Sequence, residues 1–122
     1  PRGISDSIEV SGYNLLVMDL KELTQKMNDL VRHHGWYESD SPKQQTARNL
    51  AISLSLEASE VLEHFQWSAE TKDFEEFRGE LADVALYLLQ LASVSGIDLE
   101  KAILDKIQAN WDRRWTEESD QA

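Results

Sequence analysis

The sequence lacks cysteine and has few residues that interrupt helices or carry positive charge. Its 122 residues include two Pro, five Gly and 12 Lys and Arg against 23 Asp and Glu. The absence of cysteine excludes a disulfide framework, a thiolate zinc site and a cysteine nucleophile, and it fits a reducing compartment. The formal net charge of -11 argues against a nucleic-acid polymer as partner, because such binders usually carry a basic stripe.

Long hydrophobic runs are also missing. No stretch reaches the roughly 18 to 20 apolar residues that a membrane span requires, and no basic segment followed by an apolar run marks a signal peptide. We therefore expect a cytoplasmic protein without a membrane partner. The length suits one domain, and 41% apolar with 29% charged residues is a globular composition.

Apolar residues recur at intervals of three and four, which is the pattern of amphipathic helices. Asp73 and Asp98 are predicted N-caps, and Gly35 and Gly96 are predicted stop signals. Asn14 is a plausible cap of the first helix, and the Ser41-Pro42 pair could start the second. The four predicted helices cover residues 14–34, 44–67, 73–95 and 98–115.

No β alternation of useful length is present, so the predicted fold class is all-α, with one four-helix bundle. We expect a flexible N-terminal segment over residues 1–13, the domain over residues 14–115, and a polar tail over residues 116–122. From Leu81 to Val94, apolar residues surround almost the whole third helix. Such a helix needs cover on all sides, so we expect homo-oligomerisation, although the other three helices could supply that cover.

Four acidic residues form two pairs with a spacing of three, Glu57 with Glu60 and Glu80 with Asp83. On a helix each pair shares one face. A solvated acidic face is the ordinary explanation of such pairs. A helical wheel at about 100° per residue instead places each pair within the apolar side of its helix. We therefore predict that all four carboxylates point inward.

Inward carboxylates need compensation, because burying an unpaired charge costs several kcal/mol. Basic partners, raised pKa values or a bound cation could each provide it. The carboxylate faces offer few basic residues, and His64 is as consistent with a hydrogen-bonded neighbour as with a ligand. A divalent cation with oxygen ligands is the remaining solution, and carboxylates with water suit Mg²⁺ or Mn²⁺ better than zinc.

The same residues carry a resemblance to a known family. Glu57-Ala-Ser-Glu60 followed by Glu80-Leu-Ala-Asp83 resembles the E-x-x-E and E-x-x-D signature of the MazG-like all-α NTP pyrophosphohydrolases. The segment RNLAISLSLEASEVLEHFQW is similar to that of the dCTP pyrophosphatase branch, as is ELADVALYLLQLA. The resemblance covers roughly residues 15–115.

This resemblance implies hydrolysis of a nucleoside triphosphate, most simply a dNTP, to the monophosphate and pyrophosphate, in a nucleotide-pool cleansing role. It implies catalytic and metal-binding roles for Glu57, Glu60, Glu80 and Asp83, with Mg²⁺ as cofactor and Mn²⁺ as a substitute. It also implies a homodimer or a dimer of dimers. Glu76 could join the site from one turn before Glu80, although a glutamate in a first helical turn needs no such role.

Six further residues are predicted to bind the substrate. Lys106, Asn110 and Arg113 share a helix face and are suited to the phosphates, although cations are common near a helix C-terminus for other reasons. Trp36, Trp67 and Tyr87 could stack on the base, with burial in the core as the alternative for each. The loop after Trp36 is longer than in the similar enzymes, and Met27 stands where they have histidine. The preferred base is therefore not transferred from them.

Two other functions are compatible with parts of the sequence. A carboxylate-bridged di-iron bundle needs Glu-x-x-His on two helices, and neither acidic pair has it. A non-catalytic acidic module that binds a basic partner would fit the charge and the helices. That module would carry its acidic residues on the solvated faces, whereas the wheel places these four among apolar residues.

Overall fold

The computed structural model describes the backbone of residues 7–10 and 13–16, and residues 17–113 with their side chains. The predicted all-α class with four helices is confirmed. Two short antiparallel strands precede the helices, and the sequence pattern did not predict them. The elements are β1 (Ser7–Val10), β2 (Tyr13–Leu16), α1 (Leu20–His33), α2 (Ala47–Glu63), α3 (Phe74–Val94) and α4 (Leu99–Asp112).

All four helices begin after a residue whose side chain accepts a hydrogen bond from a backbone N–H three residues later. This contact satisfies one of the donors that a helix N-terminus leaves unpaired. The predicted caps Asp73 and Asp98 are confirmed. The four bonds are Asp19 to the Glu22 N–H at 2.8 Å, Thr46 to Asn49 at 3.1 Å, Asp73 to Glu76 at 3.0 Å and Asp98 to Lys101 at 3.1 Å.

The first helix begins at Leu20, so the prediction of a start at Asn14 was wrong. Leu16 continues the helical spacing of the leucines, yet it lies in β2, opposite Ser7 of β1. Residues in a strand ladder direct their backbone hydrogen bonds to the neighbouring strand and cannot also form helical ones. Asp19 then caps the helix in place of Asn14.

The second helix is shorter at both ends than the predicted 44–67. It begins after Thr46 rather than at Ser41-Pro42, and it ends at Glu63. Beyond that point the backbone N–H groups of the next three residues bond three residues back, which tightens the chain out of α geometry. Trp67, the predicted last residue of this helix, therefore lies outside it.

The other helix ends follow the sequence signals more closely. Gly35 and Gly96 adopt φ values of 71° and 70°, the left-handed region that glycine enters without a Cβ clash. The third helix matches its predicted bounds. The fourth ends at Asp112, before the predicted residue 115, because Arg113 has extended backbone with φ -71° and ψ 133°.

The core is built mainly from the first three helices. α2 packs most closely against α3, and α1 also packs on α3. Met27, Val31 and Leu89 form a buried cluster, and Leu50 is the most enclosed large side chain at 2% exposure. These contacts hold the helices that carry the two acidic pairs.

The outer faces of α3 and α4 remain uncovered in the single chain. No residue of α4 is buried, and Trp111 is 80% exposed. On α3, Leu81, Leu88 and Val94 are exposed despite the all-round apolar character of that helix. The exposed faces are of the kind that a second copy covers, and the oligomer stays a prediction.

Among the described residues, no single helix is long and apolar enough to cross a membrane. Only α3 and α4 taken together reach the required length and composition, and they are bent by 102° relative to each other.

Candidate active site

The four predicted carboxylates converge where α2 packs on α3. Glu57 and Glu80 are half-buried, whereas Glu60 and Asp83 are exposed. The prediction of four inward carboxylates is therefore confirmed for one member of each pair and wrong for the other. The reason is that the single chain leaves one side of the α2–α3 contact open to solvent, and a helical wheel contains no information about such openings.

Glu57 is the residue on which the acidic cluster acts most strongly. Its pKa is raised above the ordinary value of 4.5, first by removal from water and then by a hydrogen bond with Glu60. The negative charges of Glu60, Asp83 and Glu80 raise it further. Oε2 of Glu57 is enclosed and has no hydrogen-bond partner among the described residues. An ionised Glu57 is thus uncompensated by the protein, as expected of a carboxylate that binds a cation.

His64 provides the main contact of Glu80. Its Nε2 pairs with the enclosed Oε2 of Glu80, and its Nδ1 lies 2.8 Å from the Thr71 hydroxyl. The Thr71 hydroxyl also lies 3.3 Å from the Asp73 carbonyl oxygen, to which it can donate. The imidazole is held between two fixed partners and fixes the orientation of Glu80 in turn.

A second group of possible ligands shares Glu80. His64, Glu76 and Glu80 each offer one ligand atom, and these atoms lie within 4.8 Å of one another. Glu76 is exposed, in the first turn of α3. The sequence identified Glu76 as a possible outer group and left His64 open between neighbour and ligand. The structure brings both to the end of the cluster nearest the α2–α3 connection.

These donors fit a divalent metal ion. The unpaired oxygen of Glu57 and the three carboxylates around it are hard oxygen donors, which Mg²⁺ and Mn²⁺ prefer. A bound cation would also remove the charge repulsion that raises the pKa of Glu57.

A cavity, which we name the apolar cavity, opens beside the cluster. Its volume is about 540 Å³, and Asp83 lies in its wall together with Trp36 and Tyr87. The ring of His34 stacks on Trp36 with centroids 4.6 Å apart and 20° between the planes. The remaining wall residues are Met27, Leu30, Val31, Lys43, Gln44, Gln45, Asn49, Leu50, Ile52, Ser53, Leu86 and Gln90.

A second cavity, the acidic cavity, borders two other carboxylates of the cluster and has a volume of about 270 Å³. Trp67 lines it and is 86% exposed. Trp36 and Trp67, both predicted to stack on the base, therefore lie in different cavities. The other residues of this wall are Glu60, Glu63, His64, Ser68, Lys72, Asp73, Glu76 and Glu80.

The predicted phosphate ligands are not brought to the carboxylates in the single chain. Lys106, Asn110 and Arg113 lie on the exposed surface of α4 and at its end, and none of them lines either cavity. Their substrate role remains a prediction.

Sequence reasoning missed the amides of Gln45 and Gln90. Gln90 is 4% exposed and donates from Nε2 to Oε1 of Gln45 at 2.7 Å. The available signal was the single amide residue within the apolar run of the third helix. Its partner lies 45 positions earlier in the chain, and no periodicity connects the two.

Comparisons with known proteins match this architecture. The MazG-like family matches residues 52–122, which include both acidic pairs. The chain belongs to the MazG-like family. Among solved structures, a pyrophosphatase from Archaeoglobus fulgidus superposes with a TM-score of 0.60 and 34% identity, covering 75% of this chain and 87% of the other.

Curated relatives include dCTP pyrophosphatase 1 of Mus musculus, 31% identical over 71% of this chain and 58% of the relative. The Homo sapiens protein of the same name is 30% identical over 69% of this chain and 56% of the relative. This MazG-like chain thus spans less than two thirds of the length of these relatives.

Proposed function

We propose that this MazG-like chain is a nucleoside triphosphate pyrophosphohydrolase. Water adds to the α-phosphorus, the bond to the oxygen that bridges the α- and β-phosphates breaks, and the products are a nucleoside monophosphate and pyrophosphate. One observation supports this most directly. The unpaired oxygen and raised pKa of Glu57 occur among three other carboxylates, and one of these, Asp83, lies in the wall of a cavity of about 540 Å³.

We propose that Glu57, Glu60, Glu80 and Asp83 hold Mg²⁺, with Mn²⁺ as a substitute. When bound, the ion supplies Lewis-acid chemistry and neutralises charge on the triphosphate. That neutralisation accounts for how a chain of net charge -11 can accept an anionic substrate. His64 keeps Glu80 in one orientation, so the ligand set is in place before the substrate arrives.

The protein groups then perform the remaining tasks of the reaction. One of the four carboxylates orients the attacking water and accepts its proton. Asp83 belongs to the cluster and also to the wall of the apolar cavity, so the α-phosphate is placed where the two meet. Trp36 and Tyr87 provide aromatic surface for the base and sugar within that cavity.

We further propose that the active form is a homodimer or a dimer of dimers. A second copy would cover the exposed apolar residues of α3 and α4, Trp111 among them. In the assembled form, Lys106, Asn110 and Arg113 contact the β- and γ-phosphates, because Lys and Arg side chains pair with phosphate oxygens.

The test is pyrophosphate release from a panel of dNTPs, with Mg²⁺ and after its removal by EDTA. We expect activity that requires Mg²⁺ and is lost in Glu60→Gln. Glu75→Gln is the matched control, because Glu75 is an exposed glutamate of α3 whose ion pair is with Arg78 at 3.7 Å. A wild-type protein as inactive as Glu60→Gln with every nucleotide would contradict the proposal and favour the non-catalytic acidic module.

A further inference from the structure

We infer that Gln90, with its amide held in one orientation by Gln45, reads the base of the bound nucleotide and favours a base with an amino group on the edge that faces it. This inference rests on the proposed function and makes Gln90 a specificity-determining residue for that reaction. It follows from the hydrogen bonds of two amides in the wall of the apolar cavity.

The orientation of both amides follows from a backbone carbonyl. Gln45 contacts the carbonyl oxygen of Lys43 at 2.7 Å, and a carbonyl can only accept a hydrogen bond, so the contacting Gln45 atom is Nε2. Oε1 of Gln45 therefore faces Gln90 as an acceptor. The Gln90 atom at 2.7 Å from it must be Nε2, which leaves Oε1 as the free end of the Gln90 amide.

That oxygen has a vacant acceptor position inside the protein. Gln90 is only 4% exposed, and within residues 17–113 no group donates to its Oε1. The Gln90 Oε1 is also not among the fully enclosed side-chain oxygens that lack a hydrogen bond in this part of the chain. It therefore retains contact with open space, and the space that Gln90 lines is the apolar cavity.

The position of Gln90 matches the far end of a bound nucleotide. Asp83, Leu86, Tyr87 and Gln90 are spaced by three, one and three residues and lie on one face of α3. From Asp83 to Gln90 the helix rises about 10 Å. With the α-phosphate at Asp83 and the sugar and base beside Tyr87, the base edge reaches Gln90.

A fixed carbonyl acceptor distinguishes two kinds of base edge. An amino group, as in cytosine or adenine, donates to Oε1 of Gln90. A carbonyl at the same place, as in uracil or thymine, faces that oxygen with a second acceptor and leaves both unpaired. A buried polar group without a partner is costly, and sites built around such a group discriminate strongly against the wrong ligand.

The hydrogen bond between Gln45 and Gln90 could instead serve only to hold the loop after Trp36 against α3. The two roles give different results. If the pair is only structural, its loss lowers stability and lowers kcat/KM for all nucleotides alike. If Gln90 selects the base, loss of the pair changes the ratio of kcat/KM for dCTP to that for dUTP. These two nucleotides differ only at this edge of the base.

The experiment measures that ratio in wild type, Gln90→Met, Gln45→Met and Gln25→Met. We expect wild type to prefer dCTP by about tenfold or more, and Gln90→Met to bring the ratio close to one. Gln45→Met should also lower the ratio, because the Gln90 amide is then free to rotate and offer its N–H. Gln25→Met replaces an exposed glutamine of α1 and should keep the wild-type ratio.

Binding of dCMP and dUMP, measured by calorimetry, provides a readout that does not require turnover. Wild type should bind dCMP more tightly than dUMP, and the two Met variants of the pair should not. Hydrolysis of dNTPs with an unchanged ratio in Gln90→Met would overturn the inference and leave the proposed function intact. Failure of wild type to hydrolyse any nucleotide or to bind either monophosphate would overturn both.

Discussion

The two cavities border the acidic cluster at different carboxylates and have opposite character. The apolar cavity is lined by aliphatic side chains of three helices, with Asp83 at the cluster and the Gln45–Gln90 pair in its wall. The acidic cavity carries Glu60, Glu76 and Glu80 with few apolar neighbours other than Trp67. A base can exclude water in the first, and a cation with its phosphates suits the second. Under the proposed function, the base and the phosphates therefore bind in different cavities beside one acidic cluster.

The largest effect should come from Glu57, the carboxylate on which the charges of the other three act. Glu57→Gln removes a carboxylate whose ionisation burial and like charges oppose, so the metal-free variant should melt about 2 °C or more above wild type. Activity should fall by about 100-fold or more, because the cation loses a ligand. Differential scanning calorimetry and pyrophosphate release measure the two effects. A variant that is less stable than wild type and still fully active would contradict the role of Glu57.

Trp36 and Trp67 test the division between the cavities directly. Trp36→Ala should raise KM by about tenfold, because stacking on a base contributes about 1 to 3 kcal/mol. Trp67→Ala, in the other cavity, should change KM by less than about threefold on the same physical ground. Steady-state kinetics with one dNTP measures both. The reverse order would place the base in the acidic cavity.

Substitution of His64 tests whether Glu80 must be held in one orientation to bind the metal. His64→Leu removes the partner of Glu80 and should weaken Mg²⁺ binding by about tenfold. His64→Gln keeps a donor for Glu80 and should restore most of the loss. A titration of melting temperature against Mg²⁺ concentration measures the affinity. Equal affinity in His64→Leu and wild type would show that Glu80 needs no fixed orientation.

The pH dependence of stability should be the smallest effect. The pKa of Glu57 is raised in the folded chain, so the folded state holds its proton more tightly than the unfolded state. The stability from that proton is complete below the ordinary value of 4.5 and is lost as the pH rises through the folded-state pKa. Because Mg²⁺ competes with the proton, the rise in melting temperature with Mg²⁺ should be larger at about pH 8 than at about pH 5. An equal rise at both pH values would show that Glu57 does not bind the metal.

Much of the fold could be predicted because its signals are local. Asp73, Asp98 and the two glycines act within one turn of the chain, and each lies at the helix end that its chemistry predicted. The predicted start of the first helix was wrong because the deciding contact is not local. Leu16 matched the helical spacing, but pairing with Ser7 of the other strand placed it in β2.

The sequence predicted which carboxylates lie close together, but not which of them are exposed. The spacing of the acidic pairs indicated which carboxylates meet, and the mutual influence on the pKa of Glu57 is consistent with that. Which of them face solvent depends on where α2 and α3 leave an opening. The pairing of Gln45 with Gln90 depends on how the loop after Trp36 lies against α3. Such long-range placements are set by packing and leave no periodic trace in the sequence.

The most direct test of the central claim is the position of a bound metal ion. Crystals soaked with Mn²⁺ and measured at the manganese absorption edge would locate it by anomalous scattering. We expect a peak bounded by the carboxylates of Glu57, Glu60, Glu80 and Asp83. A peak held only by His64 and Glu76, or no peak at the α2–α3 contact, would contradict it.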